Sequence, residues 1–210
     1  MTNKIISITG VSASGKTYLA QTLLKLIAKE QPHLSIDVLE EDSYYKDQRD
    51  IDFEQRLITN YDHPNAIDHD LLLNHLKLLK SNVPVTVPIY DYHQHTRGDQ
   101  VRTIRPLDLL IMPGTLLLHQ NKFDLYVDFS IYIDCSLDTC LLRRIKRDCI
   151  ERGRTAEFVK EQFQRDVVPM YYEYLAATRR HADLIISGDT EVSYLASQVM
   201  EALNLQRIFI

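Results

Sequence analysis

Residues Gly10-Val11-Ser12-Ala13-Ser14-Gly15-Lys16-Thr17 match the pattern G-x-x-x-x-G-K-S/T. An apolar run, Ile5-Ile6-Ser7-Ile8, precedes them, and a helical pattern follows. Such a loop turns its backbone N–H groups inward around a polyphosphate. Gly10 and Gly15 permit backbone angles and close approaches that a Cβ would block. Lys16 brings a point charge to the β- and γ-phosphates, and the Thr17 hydroxyl is placed to ligate Mg²⁺. The helix after the loop offers its N-terminus to an anion. Ser12, Ala13 and Ser14 complete the phosphate cradle.

Three further groups of residues have chemistry to offer. Asp42 lies in Glu41-Asp42-Ser43-Tyr44-Tyr45-Lys46, just past a second strand. It can accept a proton from a substrate hydroxyl or hold a metal-bound water; the alternative is a solvated acidic loop. Tyr90 and His95 suit a flat polar ring, by stacking and by donation to a carbonyl edge; the alternative is strand packing and a surface histidine. Arg143, Arg144 and Arg147 share a helix face at spacings of three and four. Arg152 and Arg154 follow around Gly153. Together they can close over a triphosphate as a lid and neutralise the charge of transfer; the alternative is a solvated basic face.

These side chains need a scaffold. Lys4–Thr9 reads as a buried strand and Lys16 to about Glu30 as a helix, with Leu19, Leu23, Leu26 and Ile27 on one face. Ser35–Leu39 reads as a second strand, Asp50–Asp68 as polar and irregular, and His69–Lys80 as a helix. Residues 83–105 form a hairpin excursion, with Asp91–Gly98 between its extended runs. Leu107–Met112 and Phe129–Ile133 are apolar strands. Ser136 caps a helix running to about Glu151. Thr155–Arg180 is helical with a kink or break near Pro169. Leu184–Ser187 is the last strand and Glu191–Leu203 the last helix. This strand–helix alternation predicts an α/β fold, a parallel sheet of the P-loop NTPase type with helices on both faces. The β-hairpin and an Arg-rich helical lid, about residues 143–165, are insertions in a single domain of 210 residues.

Bulk properties narrow the partners. Net charge is −5, so neither nucleic acid nor a membrane surface is an expected partner. No apolar run approaches the ~18 residues of a membrane span. Cys135, Cys140 and Cys149 show no metal-binding spacing, and an odd count suits free thiols in a reducing cytoplasm.

The whole set resembles the uridine kinase (uridine–cytidine kinase) family of phosphate-loop kinases, related to phosphoribulokinase. Beyond the loop, the likeness rests on D-S-Y-Y-K-D at Asp42–Asp47, N-Y-D-H-P-N-A-I-D at Asn60–Asp68 and P-I-Y-D-Y-x-x-H-T-R at Pro88–Arg97. It continues with R-R-I-K-R-D-x-x-E-R-G-R at Arg143–Arg154 and H-A-D-L-I-I before the last helix. The resemblance implies transfer of the γ-phosphate of ATP or GTP to the 5′-hydroxyl of uridine or cytidine, in pyrimidine salvage. It implies that Asp42 acts on that hydroxyl and that Asp62 holds the ribose. Tyr90 and His95 would contact the base, with Arg144 and Gln162 as further nucleoside contacts. Arg147, Arg152 and Arg154 would face phosphates, and Thr17 would ligate Mg²⁺. By its own chemistry Asp42 is a second metal partner, directly or through water. A homo-oligomer is also implied.

One departure touches the chemistry. Where the family carries E-G-I-L after an apolar strand, with a metal-holding glutamate, this chain has Pro113-Gly114-Thr115-Leu116. Proline has no carboxylate and no N–H. Asn65 and Ala177 are smaller departures. Two alternatives follow: a catalytically weakened, nucleotide-binding homologue with a regulatory role, or a kinase of another small alcohol.

Overall fold

Ile5, Ile6 and Ile8 are all fully buried, as a strand covered on both faces demands. In the computed structural model, which describes residues 4–206 and 208, they belong to β1 (Lys4–Gly10). β1 pairs in parallel with β5 (Leu109–Gly114) on one side and β6 (Phe129–Asp134) on the other. β2 (Ile36–Val38) and β7 (Leu184–Ser187) complete the sheet in the order β2-β5-β1-β6-β7. The chain first builds leftward from β1 and then rightward. The carboxyl end of β1 is therefore the switch point at which such sheets bind ligands.

Strand alternation divides the core in two. Ile6, Ile8 and Ile111 face α1 (Lys16–Glu30) and α7 (Val192–Leu205) through Leu19, Leu23, Leu195 and Val199. Ile5, Leu110 and Met112 face the opposite way, toward Leu72, Leu76 and Leu79 of α3 (His69–Lys80). Ser136 caps α4 (Leu137–Glu151) by accepting the Thr139 N–H. α5 (Ala156–Gln162) follows, capped by Thr155.

The structure corrects several local expectations. Asp50–Asp68 is not wholly irregular, because it holds the short helix α2 (Phe53–Ile58). The hairpin strands β3 (Val85–Asp91) and β4 (Thr96–Ile104) pair out to Asp91 and Thr96, so only residues 92–95 form the tip. Thr155–Arg180 runs through Pro169 without a break, and the irregularity expected there takes the form of altered turns on either side. Widened π turns, Phe163–Val167 and Tyr171–Leu175, flank α6 (Val168–Met170) and absorb the missing proline N–H.

β5 extends through Pro113, although proline is expected at sheet edges. Ile111 directs its carbonyl to Leu39 on the β2 side. Alternation turns Pro113 toward the same side, beyond the last β2 pairing at Val38. Its absent N–H costs the ladder nothing.

Two anchors place the hairpin over the sheet's carboxyl edge. Arg97 on β4 donates to the Tyr45 carbonyl at 2.7 Å and the Tyr44 carbonyl at 3.2 Å. The Thr96 hydroxyl accepts the Gln48 N–H at 2.8 Å. Both bonds tie the hairpin to the segment just after Asp42.

Candidate active site

The loop Gly10–Thr17 bends through two left-handed residues, Ala13 at φ 65° and Gly15 at φ 107°. A Cβ at Gly10 would lie 2.9 Å from the Ile133 carbonyl oxygen, so only glycine fits there. The Lys16 ammonium folds back onto the Gly10 and Val11 carbonyls at 2.7 and 3.0 Å. Burial pushes Lys16 below the usual lysine range, against the opposing pull of Asp42. Arg143, from α4, donates to the Gly188 carbonyl at 2.8 Å and approaches the Ser14 carbonyl at 3.4 Å.

Asp42 sits on a single 3₁₀ turn, Glu41–Tyr44. Glu41 is the buried peg of that turn. Its carboxylate accepts the Leu116 N–H at 2.9 Å and pairs with His69 Nε2 at 3.0 Å. The turn is thereby locked to the exit of β5. Asp42 Oδ2 accepts the hydroxyl of Tyr92 at 2.8 Å. Burial, and the neighbouring Asp42 charge, push the Glu40 carboxyl up.

Beside Asp42 lies an aromatic cage. Tyr45 and Tyr90 have ring centroids 4.8 Å apart, Tyr90 and Tyr92 5.2 Å, and Tyr61 and His95 5.4 Å. Among the described residues the buried Tyr90 hydroxyl makes no well-formed hydrogen bond, with Tyr61 its nearest polar neighbour. Burial and the charges of Arg154 and Arg152 hold His95 down at about 4, so its ring is neutral at pH 7. Its Nε2 faces Arg154 at 3.3 Å.

The arginines converge on Asp148, which is fully buried. Arg147 reaches it at 2.8 Å, Arg154 at 3.1 Å, Arg152 at 3.7 Å and Arg144 at 3.8 Å. Burial alone would raise the Asp148 carboxyl, but the guanidiniums outweigh it and hold it below its ordinary value. Arg144 also donates to Gln162 at 3.0 Å and lies 3.6 Å from Asp62. Burial pushes the Asp62 carboxyl up, with Arg144 opposing.

Two cavities result. One, of about 460 Å³, is lined by the phosphate loop with Lys16, Thr17, Asp42 and Pro113. The other, about 60 Å³, is lined by the aromatic cage with Arg144, Arg152, Arg154 and Gln162. They share Ser12, Asp42, Tyr45, Asp62 and Arg147. The structure thus brings most of the sequence-derived residues to one crevice. It seats Arg152 over the Tyr92 ring, 4.2 Å from its centroid, and Arg154 against His95, so both line the cage side rather than the loop side.

The Phosphoribulokinase / Uridine kinase family model matches residues 5–193. The chain belongs to that family. It is 45% identical over 182 residues to the uridine kinase of Cronobacter sakazakii, covering 87% of this chain and 85% of that protein. Identity to the uridine kinase of Pasteurella multocida is 44% over 204 residues, covering 95% of this chain and 94% of that protein. A solved structure of D-glycerate 3-kinase from Cryptococcus neoformans var. grubii shares the fold with TM-score 0.67 at 16% identity, covering 90% of this chain and 88% of its own. Phosphoribulokinase from Rhodobacter spheroides matches with TM-score 0.57 at 16% identity, over 82% and 68% of the two chains.

In this family member a nucleotide-bound divalent cation fits the donor chemistry of the loop cavity. The Thr17 hydroxyl and the carboxylates of Glu40 and Asp42 are hard oxygen donors. Among the described residues no group of three or more His, Cys, Asp or Glu side chains is placed to hold a metal by itself. A cation there would share its coordination with phosphate oxygens, which is how Mg²⁺ is usually held. Among the described residues no helix is long and apolar enough to cross a membrane.

Sequence reading passed over Glu41, Tyr92 and Asp148. Tyr92 follows Tyr90 at a spacing of two, the strand period, and that was a usable signal. Asp148 stands four residues after Arg144, a helical ion-pair spacing. Nothing local distinguished Glu41 from its acidic neighbours.

Proposed function

We propose that this family member is a nucleoside kinase, transferring the γ-phosphate of ATP or GTP to the 5′-hydroxyl of uridine or cytidine. The observation that carries this reading is the pair of cavities meeting at Asp42 and Arg147. A triphosphate would lie in the loop cavity and a nucleoside in the aromatic one, with its ribose beside Asp62. The uridine kinase relatives support the choice of acceptor.

In this mechanism Asp42 takes the 5′-hydroxyl proton as the oxygen attacks the γ-phosphorus. The bond from that phosphorus to the β,γ-bridging oxygen breaks, and the nucleoside diphosphate leaves. Lys16 leaves its two loop carbonyls for the phosphates. Arg147, adjoining both cavities, stabilises charge on the transferring group. Mg²⁺, held by Thr17 with acidic side chains nearby, would neutralise the β- and γ-phosphates. Tyr90 and the neutral His95 would present a donor hydroxyl and a ring nitrogen to the base.

The aromatic cavity, at about 60 Å³, is far below the ~300 Å³ at the small end of ligand sites. Nucleoside entry therefore requires Arg152 and Arg154 to move from Tyr92 and His95, which is the motion expected of a lid. The test is phosphate transfer to uridine with ATP and with GTP. The expected result is turnover together with a uridine-induced thermal shift; absence of both overturns the reading.

A further inference from the structure

We propose that Glu40 is a carboxylate partner of the nucleotide-bound divalent cation, acting with Thr17 and Asp42. This rests on the function proposed above. The carboxylates lining the loop cavity are Glu40, Asp42, Asp62 and Glu151. Asp62 faces Arg144, and Asp42 already accepts the Tyr92 hydroxyl on one oxygen. Glu151 ends α4 and is exposed. Glu40 alone is both half-buried and without a hydrogen-bond or ion-pair partner among the described residues. Arg102, the cation whose charge reaches it, is committed to Asp37 at 2.7 Å and to the Val38 carbonyl at 2.7 Å.

Backbone geometry aims Glu40 at the crevice. Leu39 is buried in the core and Glu40 is extended, at φ −78° and ψ 134°, so the two side chains point to opposite sides. The exit of β5, the other strand end bordering this cavity, carries Pro113 and Gly114 and offers no carboxylate. Lys16 is turned to the loop carbonyls and does not neutralise Glu40. Glu40 and Asp42 thus face one cavity together with the Thr17 hydroxyl. Lys16 and Arg147 act on Asp42 there, whereas Glu40 has no cation in ion-pair contact among the described residues. A half-buried carboxylate without a direct counter-charge is costly. The arrangement matches a hard divalent ion that takes one or two carboxylates and completes its shell with phosphates and water.

The test uses the full chain, Mn²⁺ as the probe, and AMP-PNP or GMP-PNP as the nucleotide, with bound metal read by electron paramagnetic resonance. Glu40→Gln is expected to weaken Mn²⁺ binding in the ternary complex by about tenfold or more, while metal-free nucleotide binds as well as in the parent. Glu40→Asp, which keeps the charge, should retain more Mn²⁺ than Glu40→Gln. Adding Pro113→Glu to Glu40→Gln should restore binding by supplying a carboxylate from β5. Unchanged Mn²⁺ affinity in Glu40→Gln, or equal loss in the Asp and Gln variants, overturns the proposal. If uridine turnover by the parent chain is intact, that result overturns this proposal alone. A parent chain that binds neither nucleotide nor uridine overturns the proposed function as well.

Discussion

The Tyr92 hydroxyl donates to Asp42 Oδ2 at 2.8 Å across fifty residues of chain. It joins the hairpin tip to the turn after β2, and it leaves the other carboxylate oxygen of Asp42 for a substrate proton. Tyr92→Phe removes the donor and keeps the ring under Arg152. We expect kcat/KM for uridine to fall about tenfold, or ~1.4 kcal/mol, with metal-free AMP-PNP affinity unchanged. Steady-state kinetics beside calorimetric nucleotide binding checks both.

Lys16 makes hydrogen bonds to the Gly10 and Val11 carbonyls. Burial penalises its charge and offsets those two bonds, so its net structural contribution is small and its electrostatic role large. Lys16→Met should lower turnover by at least ~100-fold, the effect of losing a transition-state charge partner. The melting temperature should stay nearly constant, as differential scanning fluorimetry would show.

Asp148 is a buried carboxylate shared by four guanidiniums. Asp148→Asn leaves those cations without their counter-charge and should destabilise the chain by about 3–5 kcal/mol in urea titration. The pH dependence has a definite sign. A carboxyl held below its ordinary 3.8 contributes stability above that value, and loses it as pH falls through the lower folded-state value. The gap between parent and Asp148→Asn should therefore narrow in acid.

His95 is held at about 4 against an ordinary 6.5, so unfolding takes up a proton between those values. Its neutral form stabilises the folded chain fully above 6.5, and that stability drains away as pH falls toward about 4. His95→Gln should show a shallower loss of stability across this window. Urea titrations at about pH 7.5, 5.5 and 4.5 would reveal parallel slopes if the expectation is wrong.

Gly114 is packed against the Glu41 peg. A Cβ there would lie 2.6 Å from both Cβ and Oε2 of Glu41. Gly114→Ala should cost about 1–3 kcal/mol by overpacking, and it should lower turnover by shifting the Asp42 turn. Chemical denaturation and kinetics on the same preparation would test the link.

The phosphate loop was legible in sequence because its chemistry is local. Two glycines, a lysine and a threonine at set spacing dictate one backbone path between a strand and a helix. β1, α1, α3 and α4 were legible for the same reason, through apolar periodicity and caps. Asp42 could be placed at a strand end by the rule that ligands gather there. The five-stranded order and the continuation of β5 through Pro113 depend on which strand lies alongside, and a one-dimensional pattern does not carry that information. Neither did the sequence show that Tyr92 reaches Asp42, that Glu41 bonds to Leu116, that one Asp148 gathers four arginines, or that Arg152 and Arg154 rest on the aromatic cage. Each is a contact between side chains whose neighbours are chosen by hairpin docking and helix packing. Residue types and spacing were enough to predict the loop between β1 and α1, its backbone path and the groups available around it. Only the folded chain decided which of those groups share a cavity, because burial and partner geometry arise when distant elements pack together.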